Sequence, residues 1–436
     1  MERYLPVLNW GLSYRREFLF GDITAAIVVA SLLIPQGMAY AMLAGLPPQV
    51  GLYASILPQI VYALLGTSRV LSVAPVAVDS LMVGAAVSSL APHDTPEYLL
   101  LALTLAFLVG VLEILMGVFR LGFLANLLGQ AVISGFISAA AIIIGISQIK
   151  HLLGLKIPQT ESLINSIANI ARNFGSINWV SLGLGVTGIG ILLYFNQILG
   201  GQLKRLGFSE SKIIIFTKMA PLLLVICTSL LVWTCRLDRV AGVKVVGDIP
   251  KGLPPLTVPS FDLNILQCLL PTALAISFVG FMEAFGTGKV LASKGEQKLD
   301  ANQELIALGA ANASAAFTGG YPITGGLSRS VVNFSAGANT ELSSLVTAAI
   351  VTVTILLFAP LFYFLPQACL ASIILVAVAN LLDFGTLKHL WNNDKGNAIV
   401  WCAAFAGVLL TSVEKGILLG AVVSFALHLW HSKDEV

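Results

Sequence analysis

The stretch GGYPITGGLSRSVVN, Gly319 to Asn333, puts four glycines, a proline and an arginine among segments that read as oily helices. Gly and Pro break helices. An arginine at bilayer depth is expensive and marks function by default. Broken backbone is tolerated there only where protein buries it or where it lines a water-filled cavity. The stretch therefore reads as a half-helix, over 324–336, that starts inside the membrane. The residue before a proline avoids the α region, so GGYPI suits a short extended strand ahead of it.

The rest of the chain agrees with a membrane setting. Of 436 residues, 57% are hydrophobic and 11% charged, with mean hydropathy +0.90; a soluble domain carries about 25% charged residues. The start, MERYLPVLNWGLSYRREFLFGD, is polar and aromatic, and the apolar run after it is long enough to span rather than be cleaved as a signal. A net charge of +2 and the lack of Lys/Arg blocks with interleaved aromatics argue against nucleic acid. Cys227, Cys235, Cys268, Cys369 and Cys402 form no CxxC, so packed thiols are expected rather than a disulfide framework or a metal. No cofactor is expected.

A spanning helix needs about 20 mostly apolar residues. Such runs fall near 23–43, 49–66, 97–118, 124–147, 178–199, 213–235, 264–288, 301–317, 341–358, 366–382, 397–412 and 415–431. A second broken segment, SVAPVAVDSLM (Ser72 to Met82), opens another half-helix over 74–90. The fold class predicted is an all-α membrane protein of fourteen segments, two of them half-helices each preceded by a short extended strand. The segments divide into repeats of seven, 22–235 and 264–431, with each broken segment third in its repeat. An odd number per repeat makes the second inverted. Between them lies an outside loop, 236–263; residues 1–21 and 432–436 flank the repeats. Paired Gly/Pro-broken segments at matching positions point to a transporter's binding site. Lys and Arg, from Arg3 through Arg69, Arg120, Lys204 and Lys298 to Lys433, fall mostly on one side, predicting both termini on the cytoplasmic face of a cell membrane.

Two half-helices meeting N-terminus to N-terminus offer unpaired N–H groups and two positive dipole ends, which suit an anion. Gly325, Gly326 and Leu327 open the second half-helix. The glycines would let an anion approach the backbone closely. Ser328 and Ser330 offer hydroxyls. Arg329 either adds positive potential to that site or pairs with a buried carboxylate, Asp79 or Glu283. Gln36 and Tyr40, four apart, share one face of the first span; Gln36 can donate to an oxyanion, and Tyr40 either bounds the pocket or merely packs. Glu283, deep in an apolar helix, can carry a proton at neutral pH, form a cation site with Thr287, or pair with Arg329. Asp79 sits where a helix dipole favours negative charge, yet it would repel a neighbouring anion. It is protonated, paired with a cation, or turned away.

At this point three long motifs resemble signatures of the SulP anion transporters, the sulfate permease family that includes prestin and pendrin. They are IPQGMAYAMLAGLPPQVGLYASILPQIVYALLGTSRVLSVAPVAVDSLM, LDANQELIALGAANASAAFTGGYPITGGLSRSVVN and LPQACLASIILVAVANLLDF. The resemblance covers nearly the whole chain. It implies a core domain of segments 1–4 and 8–11, a gate domain of 5–7 and 12–14, elevator-like movement of one against the other, and a homodimer. It implies that the anion meets Gln36, Tyr40, the backbone of Pro75, Val76 and Ala77, and the Ser328–Arg329 pair. Glu283 resembles the glutamate of proton-coupled plant-type members. Family members usually continue into a cytoplasmic STAS domain, whereas this sequence stops at HLWHSKDEV.

The predicted function is secondary transport of an inorganic oxyanion, sulfate first, with a proton. Sodium-coupled bicarbonate transport and uncoupled chloride-type exchange are the alternatives on the same scaffold. An enzyme is not predicted. His93, His151, His389, His428 and His431 stand in no catalytic spacing, and GLSRS is not a GxSxG elbow.

Overall fold

The structure, a computed structural model, describes residues 5–434 except 94, 127–129, 156, 158–162, 251, 296 and 412. Arg3, residues 127–129 of the expected fifth span and residues 435–436 of the tail thus lie outside the described residues.

Helix occupies each expected segment. In the first half of the chain these are α1 (Phe18–Leu43), α2 (Pro48–Leu65, broken at residues 54–56), α3 (Ala77–Ser88), α4 (Pro96–Val118), α5 (Gln130–Leu152), α6 (Trp179–Leu193) and α7 (Ala220–Cys235). In the second half they are α8 (Leu263–Lys294), α9 (Ala301–Phe317), α10 (Leu327–Ser335), α11 (Leu342–Val353), α12 (Gln367–Ala379), α13 (Lys395–Leu410) and α14 (Val413–Asp434). Among the described residues, nine helices are long and apolar enough to cross a membrane, and α3 and α13 are shorter apolar helices. The protein is therefore a multi-pass helical membrane protein. Several helices start on a side-chain cap, which satisfies N–H groups that the helix cannot. Thr95 Oγ1 accepts from Tyr98 N at the start of α4, and Asp300 accepts from Asn302 N and Gln303 N at the start of α9.

Two strands, β1 (Val73–Ala74) and β2 (Thr324–Gly325), precede the half-helices α3 and α10. They pair with each other, antiparallel, Val73 opposite Gly325 and Ala74 opposite Thr324. The second strand follows GGYPI rather than lying within it. Gly319 turns the chain out of α9 at φ +68°, and Gly320 N returns to Ala315 O. The Asn312 side chain then takes both backbone groups of Ile323. The backbone of that turn finds side-chain partners, so it needs no strand partner.

Among the described residues, short helices also form outside the expected segments, and two of them are ten residues long. Leu163–Arg172 lies in the long segment after α5, and Phe384–Asn393 lies between α12 and α13 with Asp383 as its N-cap. Both are about ten residues and amphipathic, so a search for 20-residue apolar runs passes over them.

Packing separates the helices into two groups. The most extensive contact is between α4 and α9; α8 also packs on α4, α2 on α9, and α1 on α2, α10 and α11. In the other group α13 packs on α14 and α5, and α12 on α5 and α6. Contacts of α1 with α7 and α12 join the groups. Very close approach holds the first group together: a Cβ on Gly51 would lie 1.9 Å from Gly37 O, and one on Gly110 2.7 Å from Gly309 O.

Candidate functional site

The β1–β2 ladder sets the site. Ser72 O accepts from Gly326 N at 3.1 Å, which extends the pairing to the first residue before α10. α3 begins at Ala77 and α10 at Leu327, each within three residues of its strand. A two-residue ladder thus starts two half-helices side by side, with Val76 and Gly326 as extended N-cap residues. Neither cap has a side-chain partner for the helix N–H groups among the described residues, the partner that usually satisfies such donors.

Arg329 lies in the first turn of α10, is buried, and crosses to the other half-helix. Its Nη1 donates to Pro75 O at 2.9 Å and its Nη2 to Ala74 O at 3.0 Å. Neither Asp79 nor Glu283 forms an ion pair with it among the described residues. The carboxylate pairing held open from the sequence is replaced by a clamp on two carbonyls. A guanidinium forms such a fork because it holds several donors in one plane. Its Nε has no partner among the described residues. Tyr40, Glu283 and Tyr321 are its electrostatic neighbours.

The two serines expected to serve the anion part company. Ser330 is buried; its hydroxyl donates to Gly326 O at 2.8 Å and accepts from Ser72 N at 2.9 Å. It is consumed in holding the ladder. Ser328 and Leu327 are exposed at the start of α10. Pro75, Val76 and Ala77 are buried across from them, and Gln36 and Tyr40 are buried on α1.

Gly325 and Gly326 are glycines for a packing reason. A Cβ on Gly325 would lie 2.8 Å from Leu71 Cδ2, and one on Gly326 2.9 Å from Arg329 Nη2. Both distances are too short for real atoms: Gly325 leaves room for Leu71 and Gly326 for the clamp.

Glu283 and Thr287 lie one turn apart on α8, Thr287 buried and Glu283 with one oxygen, Oε2, buried and unpartnered among the described residues. Asp79 is fully buried, with neither oxygen partnered among the described residues. It faces α8 rather than the gap between the half-helices: a Cβ on Gly280 would sit 3.4 Å from Asp79 Oδ2.

Several supporting residues were not picked out from the sequence. Tyr321 OH and Ser80 Oγ are 2.9 Å apart, joining the approach to β2 to α3. Thr324 Oγ1 donates to Gly280 O at 2.6 Å, fixing β2 on α8. Asn312 Nδ2 donates to Glu113 at 2.9 Å while its amide grips Ile323. Glu304 of α9 accepts from Tyr62 OH at 2.6 Å, Thr67 N at 2.7 Å, Ser68 N at 3.1 Å and the Thr67 hydroxyl. This fastens the turn that leads into β1. Glu113 and Glu304 carried a usable signal, a carboxylate inside an apolar run.

The model of the sulfate permease family matches residues 19–404. The chloroplastic sulfate transporter 4.1 of Arabidopsis thaliana is 36% identical over 436 residues, covering 100% of this chain and 62% of that protein. The chain spans under two thirds of the length of the curated relatives it matches. A murine solute carrier 26 family anion transporter, solved in an inward-facing state, superposes with a TM-score of 0.92 at 27% identity, covering 98% of this chain and 71% of that one. The transmembrane domain of a cyanobacterial bicarbonate transporter superposes at 0.78 and 25% identity, covering 94% and 98%. These relatives are transporters, not enzymes. A family match that runs from α1 into α13, over a fold shared with solved anion transporters, makes this chain a member of the sulfate permease family.

Proposed function

We propose that the chain is a secondary transporter of an inorganic oxyanion, sulfate first, coupled to protons. The observation that carries this reading is the pairing of β1 with β2, which starts α3 and α10 side by side with uncapped N–H groups. In this reading the anion sits between those N-termini. It takes N–H donors from Val76–Ala77 and from Leu327–Ser328, the hydroxyl of Ser328 and the amide of Gln36, with Tyr40 bounding the pocket. Arg329 acts by its charge and by holding the β1 carbonyls, so that these negative ends do not face the anion. Glu283 carries the proton, with Thr287 beside it.

The residues divide into inverted repeats, 22–235 and 264–431, joined by the segment 236–263. Segments α1–α4 with α8–α11 form the core and α5–α7 with α12–α14 the gate; the two packing groups support that division. Elevator-like movement of the core against the gate carries the anion. The working form is a homodimer in a cell membrane, termini on the cytoplasmic face. Sulfate is favoured over bicarbonate because the sulfate transporter is 36% identical and the bicarbonate transporter 25%.

The test is uptake into proteoliposomes of labelled sulfate, bicarbonate and chloride under imposed proton or sodium gradients. Saturable sulfate uptake driven by an inward proton gradient is expected. Sodium-driven bicarbonate uptake without sulfate uptake would replace this reading.

A further inference from the structure

Asp79 has no part in the anion site as built above, and its surroundings leave it little freedom. It stands in the first turn of α3 with no exposed surface, and both carboxyl oxygens lack a hydrogen-bond partner among the described residues. The ion pairs formed among those residues, Lys204–Glu210 and Arg239–Asp238, do not involve it. Arg329, the nearby buried cation, spends its two terminal nitrogens on the carbonyls of Ala74 and Pro75. A carboxylate with no counter-charge and no donor is very costly to bury, and such a group takes up a proton instead.

The carboxyl packs on α8 at Gly280, where a Cβ would meet Asp79 Oδ2 at 3.4 Å and Thr324 Oγ1 at 3.2 Å. Thr324 donates its hydroxyl to Gly280 O and so offers Asp79 no hydrogen. One turn further along α8, Glu283 has a buried oxygen that is also unpartnered. The titratable groups coupled to Asp79 from the elements around it are Glu283 on α8, Glu113 on α4 and Tyr321 ahead of β2. None of these is a cation.

We propose that Asp79 is a second proton carrier of the transport cycle, beside Glu283. Its proton comes from hydronium on the side to which the core is open. An O–H bond of hydronium breaks as one forms on the carboxyl, which keeps the proton while the core is shut; on the other side the carboxyl O–H breaks and a water molecule takes the proton. The carboxyl enters the closed core neutral, so it does not repel the anion held at the same half-helix. This inference rests on the proton-coupled reading and adds a carrier to it.

Two measurements on the reconstituted chain test it. Infrared difference spectra of wild type and Asp79→Asn at neutral pH should show a protonated carboxyl C=O band in the wild type that Asp79→Asn loses. Asp79→Glu, a methylene longer, should shift that band rather than remove it, and it serves if the asparagine variant does not fold. Proton flux per anion should fall in Asp79→Asn, and uptake should depend less steeply on external pH. An identical band in wild type and Asp79→Asn, or an unchanged proton-to-anion ratio, would overturn the proposal. A chain that moves another anion would overturn the sulfate reading alone, since band and proton ratio are read for any anion.

Discussion

Arg329 of α10 donates from Nη1 to the carbonyl of Pro75, just ahead of α3, at 2.9 Å. One side chain therefore ties the two half-helices together at the point where their N-termini open. Removing it does two things at once. Arg329→Ala takes the guanidinium from the carbonyls of Ala74, which keeps its ladder partner Thr324, and of Pro75, which loses its donor at about 1–3 kcal/mol, and removes the positive charge. Both lower thermal stability and lost sulfate uptake are expected. Arg329→Lys keeps the charge but not the planar fork. It should recover part of the stability and little of the uptake. A fully stable alanine variant in a thermal unfolding assay would contradict the clamp.

The two serines make a paired test. Ser330→Ala takes the acceptor from Ser72 N–H and should cost about 1–3 kcal/mol, read as a lower unfolding temperature. Ser328→Ala, at an exposed position, should leave that temperature unchanged and raise the KM for sulfate. The reverse pattern would exchange their roles.

The turn before β1 hangs on Glu304. Glu304→Gln keeps the shape but places an amide NH2 against donors from Tyr62, Thr67 and Ser68. A loss of order 2–4 kcal/mol is expected from the misplaced donors and the lost charge. Uptake should fall although no proposed anion contact is altered. Unchanged uptake and stability would show that the turn holds itself.

Gly326→Ala would put a Cβ 2.9 Å from Arg329 Nη2 and 3.3 Å from Val76 Cγ1. The arginine must then shift off the Ala74 carbonyl. Sulfate binding, measured calorimetrically, should weaken at least about tenfold, the equivalent of about 1.4 kcal/mol. Binding at the wild-type level would show that the fork is not needed.

Glu283→Gln removes the proposed proton carrier while keeping size. Wild-type uptake should rise as external pH falls and the inward proton gradient grows. The glutamine variant should show a shallower dependence, having lost the share that Glu283 carries. Equal pH profiles would remove Glu283 from coupling.

The breaks in the chain were legible because Gly and Pro act locally: Gly319 and Pro322 mark the second half-helix, Pro75 the first. The apolar runs were legible for the same reason. The partners of Arg329 were not, because Ala74 and Pro75 lie about two hundred and fifty positions away and only the fold brings them close. Nothing local separates Ser328 from Ser330; the face that α10 turns to β1 does. Asp79 was visible as an anomaly, but its empty surroundings came only from the packing of α3 on α8.

The central claim is that the anion sits between the starts of α3 and α10. The most direct measurement is the anomalous density of selenate, a sulfate analogue, in crystals of the chain. A peak within hydrogen-bonding reach of the Val76–Ala77 and Leu327–Ser328 N–H groups is the expected result. A peak elsewhere, with that gap empty, would contradict the account.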